Sequence, residues 1–109
     1  MINENITTML DAILRTIVGQ FAPERIILFG SCARGTVTFD SDLDILVVMR
    51  VEGSERAKAN EIDLALADRT VPLDLVVVTP EQFERQKNAL GTIVREAVLE
   101  GRVLYERAA

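Results

Sequence analysis

Three short apolar runs set the strongest limit on how this chain can fold. They are Ile26-Ile27-Leu28-Phe29, Leu43 to Met49 and Leu73 to Val78, the last two each interrupted by one aspartate. Runs this short, rich in β-branched residues, read as strands buried on both faces. The segments between them carry helical spacing instead. Ile6, Met9, Leu10, Ile13, Leu14, Ile17 and Val18 form one apolar stripe, predicting a core-facing helix from about Asn5 to Gln20. Gly19 and Pro23 supply its stop. Ser31 to Gly35 reads as a short helical turn and Thr36 to Ser41 as a polar connection.

The second half of the chain follows the same logic. Ser54 is suited to cap a helix from about Glu55 to Asp68, with Ala57, Ile62, Ala65 and Leu66 facing inward. Thr79-Pro80-Glu81 has the composition of a helix start, and a helix broken near Gly91 is expected to run on to Leu99. Gly101 ends it, and Val103-Leu104-Tyr105 forms a last short strand. The expected fold class is α/β (α+β): a small mixed sheet of three to four strands covered by helices. At 109 residues, a single domain over 1–109 is expected.

Composition removes several kinds of chemistry. There is no histidine and one cysteine, Cys32, so His-based triads, zinc sites and disulfides within the chain are excluded. A metal here must be held by oxygen ligands, which points to Mg²⁺ or Mn²⁺. The net charge of −5 argues against a nucleic-acid partner. Neither a signal-peptide pattern nor an apolar run of membrane-spanning length is present, so a cytoplasmic protein without membrane contact is expected.

Three features carry chemistry. In Phe29-Gly30-Ser31 a buried strand turns into a short helix, where glycine admits close approach and Ser31 adds a hydroxyl, a possible phosphate cradle. In Asp42-Leu43-Asp44 both carboxylates are expected on one face of the strand, with Leu43, Ile45 and Val47 on the core face. Like charges held together gain from a cation between them. Asp74 stands in an apolar strand, costly without a partner or metal. Two other motifs fail on spacing. A calcium loop beginning at Asp40 would need glycine and glutamate where Ile45 and Val51 stand, and Gly30 to Gly35 lacks the P-loop lysine.

Gly30-Ser31, then ten residues, then Asp42-Leu43-Asp44 resembles the signature of the DNA polymerase β-like nucleotidyltransferase superfamily. The fuller strings, Leu28 to Gly35 and Ser41 to Ile45, resemble its minimal single-domain members, the antitoxins of HEPN–MNT toxin–antitoxin pairs. The ending from Ile93 to Glu106 also resembles that family, so the resemblance spans most of the chain. Cys32 departs from it, standing where members often carry a basic residue.

The resemblance implies a nucleotidyltransferase fold and an enzyme that binds a nucleoside triphosphate through Gly30, Ser31 and Arg34. It implies two Mg²⁺ ions (Mn²⁺ as a substitute) on Asp42, Asp44 and Asp74, the catalytic carboxylates. It further implies a type VII-like antitoxin that moves AMP from ATP to a tyrosine of a cognate HEPN-domain ribonuclease toxin and neutralises it. Other expectations remain open: an antitoxin that acts by binding alone, or transfer to a small molecule such as an aminoglycoside, acting as a homo-oligomer. Addition to RNA ends is disfavoured by the acidic charge.

Overall fold

The computed structural model describes residues 4–33, 42–68 and 72–108, with backbone alone for residues 4–7, 31 and 32. Among these described residues nine elements follow one another: α1 (Glu4–Phe21), β1 (Arg25–Phe29), α2 (Gly30–Ala33), β2 (Leu43–Val48), α3 (Glu55–Ala65), β3 (Leu73–Val78), α4 (Pro80–Gln86), α5 (Ile93–Glu100) and β4 (Arg102–Glu106). The four strands form one mixed sheet in the order β3-β2-β1-β4. β1 runs antiparallel to β2 and β4, and β2 runs parallel to β3. A parallel neighbour needs a crossover, and α3 supplies it.

Strand alternation divides the apolar runs between two cores. Ile26, Leu28, Leu43, Ile45, Val47 and Val77 pack against Leu10, Ile13 and Ile17 of α1 and Ile62 of α3. Ile27, Phe29, Leu46, Val48 and Val78 pack against Phe83 of α4 and Val94 and Ala97 of α5. The central strands are therefore apolar at successive positions because both faces are covered. Each fully buried Ile or Leu contributes roughly 1.5–3 kcal/mol relative to exposure.

Most expected boundaries agree with these elements, and the exceptions have local causes. α3 ends at Ala65, and its Ala57 is exposed. Its Ser54 cap is as expected, accepting the Ala57 N–H at 3.1 Å. The break expected near Gly91 is present: α4 and α5 are separated by Gly91 at φ 85°, and α5 is restarted at Thr92. The Thr92 hydroxyl accepts the Arg95 N–H at 3.1 Å and stands 2.9 Å from Ala89 O and 3.1 Å from Gln86 O, to which it donates. Thr92→Ala removes the cap and the tie to the α4 end together. The expected loss is about 1–2 kcal/mol, read by urea denaturation.

Candidate functional site

The candidate site forms where β1 ends and β2 and β3 begin. Phe29 pairs with Asp44 across the antiparallel ladder, and Asp44 pairs with Asp74 across the parallel one. Residues in direct register project to the same face, so Phe29, Asp44 and Asp74 form one row across three strands. That face belongs to the α4–α5 core, whose sheet residues Leu46, Val48 and Val78 stand further along the strands. Adjacent strands are about 4.8 Å apart, so the backbones that carry Asp44 and Asp74 are near neighbours.

Asp44 is half-buried and Asp74 is exposed. The burial penalty that singled out Asp74 in the sequence therefore does not apply to it. Register, not desolvation, ties it to Asp44. Asp42 lies one residue before β2 and is exposed. Among the described residues no group of three His, Cys, Asp or Glu side chains is gathered as a metal cluster.

Gly30 connects the carboxylate row to the turn that follows β1. Its φ is 75°, a left-handed conformation that favours glycine. A methyl group built on it would overlap the Asp44 carboxylate. The carboxylate therefore stands directly against bare backbone, an approach any other residue would block. Ser31 belongs to α2 through its backbone, and Arg34 lies outside the described residues.

Opposed carboxylates repel, and an oxygen-seeking cation between them converts that cost into a gain. The donor set suits Mg²⁺ or Mn²⁺ better than softer metals. The bare Gly30 backbone lets the Asp44 carboxylate approach the turn that follows β1. A hard cation and a phosphorylated ligand both fit this chemistry.

A separate concavity lies elsewhere. A cleft of about 770 Å³ is bordered by Glu24, Arg25, Val48, Phe83, Lys87 and Arg107, at the opposite end of the sheet. Its cations already have partners: Arg25 with Glu106 at 2.8 Å, Lys87 with Glu84, and Arg107 with Glu24 at 3.7 Å. Arg25 also lies over the Phe83 ring, 5.0 Å from its centroid. With its cations paired to nearby carboxylates, this cleft offers less chemistry than the carboxylate row. Sequence reading missed the Phe29–Asp44–Asp74 row because no local pattern encodes strand order.

Residues 11–105 match the family "Nucleotidyltransferase domain", and the chain belongs to that family. It is a nucleotidyltransferase. It is 39% identical over 85 residues to a "putative protein adenylyltransferase" of Methanocaldococcus jannaschii, covering 75% of this chain and 78% of that one. Two solved structures share the fold. One is a toxin–antitoxin with AMP-PNP, 24% identical, TM-score 0.55, covering 97% of this chain and 75% of the other. The other is a tyrosine-to-alanine mutant of the toxin–antitoxin MntA-HpeT, 25% identical, TM-score 0.56, covering 98% and 75%. Among the described residues no helix is long and apolar enough to cross a membrane.

Proposed function

We propose that this chain is a Mg²⁺-dependent antitoxin that transfers AMP from ATP to a tyrosine hydroxyl of a cognate HEPN-domain toxin. The observation that carries the reading is the Asp44–Asp74 register beside the bare Gly30 backbone. The adenylyltransferase relative supports AMP as the group moved, and the toxin–antitoxin neighbours support a protein acceptor.

In this reading Gly30 and Ser31 hold the β- and γ-phosphates, with Arg34 close by in sequence. Asp42, Asp44 and Asp74 hold Mg²⁺, which when bound neutralises the carboxylates and polarises the phosphate oxygens. Asp74 stands on the acceptor side. The acceptor oxygen bonds to the α-phosphorus, the bond from that phosphorus to its bridging oxygen breaks, and pyrophosphate leaves. The hydroxyl proton passes to the Asp74 carboxylate. No nucleophile from the chain is needed, in keeping with the absence of histidine.

The test is incubation with α-labelled ATP, Mg²⁺ and the protein encoded by the adjacent gene. Label is expected on a tyrosine of that protein. The Asp42→Asn, Asp44→Asn double variant is expected to lose at least about 100-fold in rate, as when preorganised charge stabilisation is removed. Unchanged transfer by that variant would sink the assignment.

A further inference from the structure

Among the described residues β3 closes the sheet on one side and β4 on the other. The two edges are built differently. β4 shifts register opposite Ile26 and Ile27, and it carries Arg102 and Glu106 at its ends. Bulges and charges of this kind keep a further strand from pairing. β3 has no such shift. Its six residues keep unbroken register with β2, and Asp74 is its one charged residue.

The hydrogen-bond phase shows which backbone groups the β3 edge presents. Leu43 donates its N–H to Pro72 O, and Met49 donates to Val78 O, both at 3.0 Å. In a parallel ladder this turns the N–H and C=O groups of Asp74, Val76 and Val78 toward β2. Those of Leu73, Leu75 and Val77 point outward. Among the described residues no backbone group bonds to that outward row. Leu73, Leu75 and Val76 are only partly buried.

We propose that the β3 edge docks an extended segment of the protein acceptor, which adds to the sheet and brings its hydroxyl side chain to the Asp74 face. This rests on the nucleotide-transfer reading above and names how that substrate is held. An extended polypeptide offers alternating donors and acceptors at the spacing of the outward row, and a nucleic-acid strand does not. A residue opposite Asp74 on the added strand places its Cβ about 5 Å away, on the same face. Register also selects the acceptor. A slip of one residue turns the hydroxyl to the α1–α3 side, away from Asp44 and Asp74.

The test uses the full chain, α-labelled ATP, Mg²⁺ and two acceptors: the adjacent-gene protein, and a synthetic peptide spanning its labelled residue. Leu75→Pro removes one outward N–H and leaves the β2 ladder intact. It is expected to label either acceptor at least tenfold more slowly than wild type while binding ATP equally well. Because Leu75 also packs against the core, a second measurement leaves the enzyme untouched. The same peptide, N-methylated at alternate residues, keeps its side chains, loses its pairing donors and is expected to go unlabelled. If Leu75→Pro and the methylated peptide both react within twofold of their controls, edge docking is wrong and the transfer reading stands. If wild type labels neither acceptor, both are wrong.

Discussion

Gly30→Ala is expected to lower the rate of nucleotide transfer by about 100-fold or more while leaving a folded protein. Two effects act together. At φ 75° an alanine costs roughly 1–2 kcal/mol in backbone strain. The added methyl group would overlap the Asp44 carboxylate, so either the carboxylate or the turn must move. A shift of about 1 Å in a group that positions reactants can cost on the order of 100-fold. The measurement is label transfer under saturating ATP, with circular dichroism to confirm the fold. A Gly30→Ala variant with more than half of wild-type rate would show that the Gly30–Asp44 contact does not position the chemistry.

Gly101→Ala is expected to give the largest loss of stability. Its φ of −84° is ordinary, so the glycine is required by space and not by backbone conformation. A methyl group there would overlap Ala97 O and meet Ile27 Cγ2 at 2.7 Å and Leu28 O at 2.9 Å. Two of these three neighbours are backbone atoms of α5 and the central strand β1, which cannot yield without disturbing the sheet. Overpacking of this kind costs about 1–3 kcal/mol, and the rigid neighbours place Gly101→Ala at the upper end. For a domain of this size that is a fall in Tm of about 10–20 °C by calorimetry. Gly19→Ala is the control with the opposite sign. Nothing lies within 4 Å of its built methyl group, and it lies in α1. A gain of about 0.5–1 kcal/mol is expected there. Equal effects at Gly19 and Gly101 would overturn the packing argument.

How much of this was readable in the residues depended on whether the signal was local. The three strands were readable because their apolar runs are bounded by glycine, proline and charge. Ser54 and Thr79 were readable as caps because each is followed by residues suited to a first helical turn. The break at Gly91 was readable from the glycine itself, but Thr92 was not read as the cap that restarts the helix after it. Ala57 was misplaced because an alanine reports little about which face it occupies. The carboxylates were found for partly different reasons than the structure supplies. Asp44 is held on a buried strand as expected. Asp74 was singled out by a burial cost it does not bear, and its tie to Asp44 comes from parallel pairing through the α3 crossover. Strand order is a tertiary property, so no spacing in the sequence could state it. For the same reason β3 could not be recognised as an edge.

The position of β2 has a consequence for motion. Its residues alternate between the two cores, with Leu43, Ile45 and Val47 in one and Leu46 and Val48 in the other. The backbone carrying Asp44 cannot loosen without opening both layers, so its amide protons should exchange only when the whole molecule unfolds. Asp74 is carried on an edge strand with one neighbour and can fray at far lower cost. The pair thus joins a rigid carboxylate to a more yielding one. If the acceptor docks on β3 as proposed, the yielding member is on its side, and the site would admit a new chain while the backbone of Asp44 stays fixed.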